Sequence, residues 1–197
     1  MSLEKTMDVD LGGRAVEVRP MGPADREAML GFARDLPPHD LLFLRRDISE
    51  PLGVDAWLRD IERGEVTTLL ALASGELLGY VTLHRSSLRW SRHVAELRVV
   101  VSASCRGAGL GRALTEAAFR LALGEGIEKI VARMTPDQGG AISVFEGLGF
   151  RAEALLRDEV KDREGNLHDL LVMSHRVADF QGMLDAYGVG AALNGAS

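Results

Sequence analysis

Apolar and polar positions change period several times along the chain, and each change marks an element. Ala15 to Pro20 alternates apolar and polar and stops at proline, which predicts a short strand. Pro23 opens a stretch with Met29, Leu30, Phe32 and Ala33 at helical spacing, and Pro37-Pro38 closes it. Residues 39–53 read as a loop with a short helix, and Asp55 to Arg63 as a helix with Asp55 at the N-cap. Val66 to Ala73 and Leu77 to Arg85, joined by Ser74-Gly75-Glu76, predict a hairpin. Val94 to Val101 and Ile127 to Met134 are further strands, separated by helical periodicity over Leu110 to Leu123. A short helix over Gly140 to Leu148 follows, then a strand pair, Phe150 to Val160 and Leu167 to His175. Hairpin-joined strands come first and helix-linked strands second, which predicts an α/β mixed sheet with helices packed on it.

Residues 1–13 carry several charges and end in Gly12-Gly13, and they read as a leader before one domain over residues 14–176. In the tail, residues 177–197, Val177, Phe180, Met183, Leu184 and Tyr187 would form one stripe on a short helix. That stripe would pack on its own domain or form a homodimer contact.

The chain has 197 residues, 46% hydrophobic and 26% charged, which excludes a disordered polypeptide. A single cysteine, Cys105, excludes an intrachain disulfide framework and fits a reducing, cytoplasmic setting. No apolar run approaches the roughly 18 residues of a membrane span, and the N-terminus does not read as a signal peptide. The net charge of −6 argues against a nucleic-acid partner. No cluster of His, Cys, Asp or Glu has metal-ligand spacing, so no metal is expected.

The most informative segment is Arg106-Gly107-Ala108-Gly109-Leu110-Gly111-Arg112, set between a strand and a helix. Its glycines allow close backbone approach, and the helix start offers free N–H groups and a positive dipole end. Together they suit a phosphate or pyrophosphate, with Arg106 and Arg112 adding charge. A Walker loop is excluded because Arg112 and Ala113 follow Gly111 in place of Lys and Ser or Thr. The dinucleotide fingerprint needs Gly-x-Gly-x-x-Gly and a ribose-binding acid after the next strand; both are missing. A ligand-free glycine turn stays open on the loop alone.

Ala95 to Phe150 resembles the GNAT superfamily of acyl-CoA-dependent N-acetyltransferases. The resemblance rests on Val99-Val100-Val101, on the Arg-x-x-Gly-x-Gly form of Arg106 to Gly111, and on Ala141-Ile142-x-x-Phe145-Glu146-x-Leu148-Gly149-Phe150. It implies a mostly antiparallel sheet, splayed between its two parallel middle strands, with helices on both faces. It further implies that the main chain of Val99, Val100 and Val101 pairs with the pantetheine arm of acetyl-CoA. The amides of Gly107, Ala108, Gly109, Leu110, Gly111 and Arg112 would hold the pyrophosphate. Gln138 stands where the family often has Asn, and its amide can serve the same contact.

An ammonium with a pKa of about 10 cannot attack a thioester until a base takes its proton. Glu96 is the candidate, on the otherwise apolar Val94-Ala95-Glu96-Leu97, which resembles the base-bearing strand of the family's histone-acetylating branch. Desolvation in a sheet would raise its pKa, whereas a structural ion pair with Arg98, two residues on, is the competing reading. His84, His93, His168 and a chain of waters are alternatives. Where many members carry an acidic Tyr, this chain has Phe145, which has no proton to give. A thiol pKa of about 8.5 makes an unassisted thiolate a tolerable leaving group, at about 2 kcal/mol at pH 7. Cys105 has no nearby histidine in sequence and the family transfers directly, so a covalent relay through it is not expected.

Acceptor choice in the family falls to the segment after the first strand and the loop between the last two strands, here Leu36 to Gly53 and Asp162 to Leu167. Arg45-Arg46 could bind an acceptor carboxylate, or form a solvated pair; the acidic balance suits a cationic amine. The expected activity is acetyl transfer from acetyl-CoA to a primary amine of a small molecule or protein. The rival readings are a non-catalytic acyl-CoA-binding module and a nucleotide binder of another family.

Overall fold

The sheet starts earlier than the charged N-terminus suggests. In the computed structural model, which describes residues 6–41 and 44–180, Met7–Leu11 forms strand β1. It pairs antiparallel with β2 (Arg14–Pro20) through a turn at Gly12 and Gly13. Met7, Val9 and Leu11 pack against the core while Asp8 and Asp10 are exposed. The leader expected over residues 1–13 is therefore corrected over 7–11: two aspartates on the solvent side of an edge strand hid its alternation.

The remaining strands are β3 (Val66–Ala73), β4 (Glu76–Arg85), β5 (Val94–Val101), β6 (Lys129–Met134), β7 (Arg151–Lys161) and β8 (Leu167–Arg176). They form one sheet in the order β1-β2-β3-β4-β5-β6-β8-β7, with β5 and β6 as the parallel pair. The helices are α1 (Arg26–Asp35), α2 (Pro38–Leu41), α3 (Pro51–Glu62), α4 (Leu110–Gly124) and α5 (Gly139–Gly147). Helix α3 begins four residues before the predicted start, with Glu50 at the N-cap and Pro51 in the first turn, where a missing N–H costs nothing. Asp55 is no cap; its carboxylate binds the Arg26 guanidinium on α1 at 2.6 Å.

Each face of the sheet carries its own core. On one, α4 lays Leu110, Leu114, Ala118 and Phe119 against Leu83, Ala95 and Leu97. On the other, Met29, Phe32 and Trp57 of α1 and α3 cover Leu70, Tyr80 and Val100. Strands β3 and β4 are covered on both sides, and so their cores read as near-continuous apolar runs. The first two residues of the C-terminal stripe belong to this domain. Val177 and Phe180 are buried in the α4-side core, and the Phe180 ring stacks on Phe119 at 4.2 Å. Met183, Leu184 and Tyr187 lie outside the described residues.

Candidate active site

Strand β5 assigns its two faces by alternation. Ala95 and Leu97 enter the α4-side core, with Val99 and Val101 packed against it, so Glu96, Arg98 and Val100 point to the other face. The parallel register runs only from Val94 with Lys129 to Leu97 with Ala132. Beyond Leu97, β5 stays paired with β4 as far as Val101, while β6 runs on to Met134 beside β8. Among the described residues, Val99 to Val101 thus have no strand partner on the β6 side, and the two strands part. The family's splay, expected from the motifs, is present.

A cavity of about 320 Å³ opens at the parting. Glu96, Arg98, Val99 and Val100 line it from β5, and Arg133, Met134 and Thr135 from β6 and its end. Gln138, Ala141 and Phe145 line it from α5 and its start, and Arg45 from the loop after α2. Five of the expected site residues, Glu96, Val99, Val100, Gln138 and Phe145, thus meet in one place. Val101 and the loop Arg106 to Arg112 are not in the cavity wall; they follow directly in the chain, past a tight turn at Ala103–Cys105.

Gly107 and Gly109 hold φ at +76° and +88°, where side chains with a Cβ are strained, and this turn delivers the chain into α4. The first bond of the helix ladder runs from the Ala113 N–H to the Gly109 carbonyl at 3.1 Å. The amides of Leu110, Gly111 and Arg112 therefore precede the ladder, as an anion site requires. The two flanking arginines are not free charges. Arg106 pairs with Asp40 of α2, and Arg112 with Glu116 one turn on at 3.0 Å.

Glu96 sits among three guanidinium groups. Arg98 Nη2 donates to its Oε1 at 3.1 Å, while Arg133 Nη1 and Arg45 Nη2 approach Oε2 at 3.6 and 3.8 Å. Burial pushes the carboxyl's pKa up, but the Arg98 hydrogen bond and the three positive charges outweigh it, and the group is held below its ordinary value. The rise expected from desolvation is thus corrected. Arg98 was visible two residues away; Arg45 and Arg133 come from distant segments. The signal that could have found Arg133 is the one that singled out Glu96, a charge inside an apolar strand (Ile130-Val131-Ala132-Arg133-Met134).

The histidines divide clearly. His84 lies across from Glu96 in the β4–β5 register and is buried. Burial and then Arg45 push its pKa down to about 4, so it is neutral at pH 7 and a weak proton acceptor. His93 is exposed where β5 begins, and His168 pairs with Asp162 at 2.9 Å in the last hairpin. Neither lines the cavity.

On α5, Phe145 is buried with its ring edge-on to Phe150 at 4.8 Å. The Gln138 side-chain oxygen accepts from the Thr135 N–H at 3.3 Å, so part of its amide shapes the β6–α5 turn. Tyr80 lies in the α1/α3 core beside Trp57, with burial raising its pKa, and does not line the cavity. Cys105 is buried outside the cavity wall. Among the described residues, no three His, Cys, Asp or Glu side chains gather at metal-binding geometry.

The splayed parallel pair, the glycine turn and the following helix are the features the GNAT resemblance implied, and comparison with known proteins agrees. The sequence profile of the Acetyltransferase (GNAT) family matches residues 33–150. The chain belongs to this family and is an acetyltransferase. No curated protein matches it. Among solved structures, it resembles a ribosomal-protein-S5-alanine acetyltransferase from Vibrio fischeri, with 14% identity and a TM-score of 0.76 over 90% of this chain and 99% of that one. It also resembles yncA, a putative acetyltransferase from Salmonella typhimurium solved with acetyl-CoA, with 22% identity and a TM-score of 0.71 over 82% and 94%. Spermidine N-acetyltransferase from Vibrio cholerae, in complex with CoA and spermine, aligns at 15% identity with a TM-score of 0.72 over 84% and 98%. At these identities the likeness is one of fold.

Proposed function

We propose that the chain moves the acetyl group of acetyl-CoA to a primary amine by direct attack in a ternary complex. The observation that carries this reading is the parting of β5 from β6 beside the glycine turn, with Glu96 in the same cavity. On the side away from β4, the backbone over Val99 to Val101 has no β6 partner and offers strand-like hydrogen bonds to the amide-bearing pantetheine arm. The amides of Gly107 and of Gly109 to Arg112 suit its pyrophosphate, while the Ala108 N–H donates to the Cys105 carbonyl at 3.4 Å, and Gln138 and Phe145 line the channel between. The residues present fit acetyl-CoA as a substrate.

The acceptor ammonium loses a proton, and its lone pair attacks the thioester carbon. The resulting oxyanion is stabilised by backbone N–H groups along the split. The C–S bond then breaks, the nitrogen loses its second proton, and the thiolate leaves and takes a proton from water. Phe145 supplies no acid, so this departure rests on the thiol's own acidity.

Of the carboxylates lining the cavity, Glu96 is the one on β5, where the strands part, and it is the proton acceptor of this reading. Its arginines keep it ionised, so it draws the ammonium in and passes the proton on to solvent rather than holding it. Release of free CoA that depends on an added amine tests the reaction. Hydrolysis at the same rate without amine would remove it.

A further inference from the structure

The acetyltransfer reading leaves the acceptor open, and the arginines narrow it. One carboxylate needs one cation, and Arg98 already donates to Glu96. Arg45 and Arg133 stand beyond hydrogen-bond distance from Glu96, and among the described residues neither donates a hydrogen bond to anything else. Their side chains are 52% and 48% exposed, and both line the cavity.

Structural arginines in this chain look different. Arg46, the sequence neighbour of Arg45, is tied to Asp60, and Arg106 to Asp40. Arg19 makes a two-pronged pair with Asp25 at 2.9 and 2.7 Å. Two carboxylates besides Glu96 line the same cavity. Asp40 is taken by Arg106, and Glu159, exposed on β7, makes no ion pair among the described residues.

Resting on the acetyltransfer reading, we propose that the acceptor is an amino acid or similar small amine carrying a carboxylate, gripped by Arg45 and Arg133 with its ammonium on Glu96. Both guanidinium groups approach the same Glu96 oxygen, so one small anion can touch both while the neighbouring ammonium meets that carboxylate. Guanidinium forks match a planar carboxylate. Around Glu96 the cavity sets one carboxylate beside two half-exposed guanidinium groups, and a zwitterion offers an ammonium to the first and a carboxylate to the second. Binding the carboxylate also draws positive charge away from Glu96, which makes it a better proton acceptor when substrate is present. A polyamine would bring its second cation against two arginines. The local charge thus overrides the chain's net acidity, which by itself pointed to cationic amines.

The test uses the purified full chain and matched pairs: free amino acids, each beside its decarboxylated amine and its carboxamide, with spermidine included. Calorimetry with acetyl-CoA runs in parallel, and amine-dependent CoA release is the readout. The expected result is a kcat/KM advantage of about 10- to 100-fold for the carboxylate member of a pair, the size of a hydrogen-bonded charge contact. In Arg133→Met and Arg45→Met that ratio falls toward unity, while the acetyl-CoA Kd changes by less than about threefold. Equal use of both members, preference for the carboxylate-free partner or spermidine, or no turnover of any pair while acetyl-CoA binds would each overturn the proposal and leave the donor site standing. Failure of the unaltered chain to bind acetyl-CoA would overturn both readings, and the calorimetric arm identifies that case.

Discussion

The two faces of this sheet are built by the same strands and do opposite work. Toward α4, β5 presents Ala95, Leu97, Val99 and Val101 to an apolar core closed by Phe119 and Phe180. Toward α1 and α3 the same strand presents Glu96, Arg98 and Val100, and the apolar core there stops at Val100. Charge takes over where β5 and β6 part, with Arg45 and Arg133 beside Glu96. A period of two makes this division cheap, since each substitution on one face leaves the other face's packing in place. The α4 face is apolar along the whole of β5; the opposite face has its own core under α1 and α3 and places its charges beyond that core's edge.

The largest expected effect tests the packed face. Phe119 is fully buried and contacts Phe150, His175 and Phe180 by its ring. Phe119→Ala should cost about 3–5 kcal/mol in urea unfolding. Arg133→Met on the charged face should shift the same measurement by less than about 1 kcal/mol, since its ion pair is half-exposed. Similar losses at both positions would remove the contrast.

The charged face has its own stability signature. His84 is neutral and buried, with a pKa lowered to about 4, while in the unfolded chain it titrates near 6.5. Between those values the unfolded state binds more protons, so stability is lost as pH falls from about 6.5 to 4. The loss approaches about 3 kcal/mol. His84→Gln should flatten Tm against pH in that window. An unchanged slope would mean the imidazole is not held neutral.

The donor side is sharpened by Gly109→Val. A branched side chain at φ +88° strains the turn that aims the amides, and acetyl-CoA affinity should fall by about 100-fold. Affinity within about threefold of the parent would displace the pyrophosphate from this loop. The smallest effect concerns Glu96→Gln, which should lower turnover about 10-fold at pH 7 and less at pH 9, where free amine is more abundant. Glu96 is ionised throughout that range, so the difference reports the amine's titration. An equal rate at pH 7 would remove Glu96 from proton transfer.

The alternation that divides the faces is also what made much of the fold readable in advance. Strands β3 to β6, helix α4 and the glycine turn follow from local period and turn chemistry, and the motifs located the split. Strand β1 was missed because Asp8 and Asp10 look like a charged leader until β2 is seen to pair with it. The C-terminal stripe left its partner open, and Val177 and Phe180 found theirs in Phe119's core. Glu96 stood out as a charge inside an apolar strand, and the structure places it mostly buried, but the expected direction of its pKa was reversed. The lowering comes first from Arg98, the ion pair the sequence offered as the competing reading, and Arg45 and Arg133 add to it from distant segments. Local pattern names a charged residue; its electrostatics belong to whatever the topology sets beside it.

The measurement that bears most directly on the account is calorimetric titration of the purified chain with acetyl-CoA, with CoA and ATP as comparators. The split and the glycine turn predict saturable binding of acetyl-CoA and CoA at about micromolar Kd, near −8 kcal/mol, and none of ATP at the same concentrations. Absence of acetyl-CoA binding, or equal binding of ATP, would contradict the placement of the donor between β5 and β6.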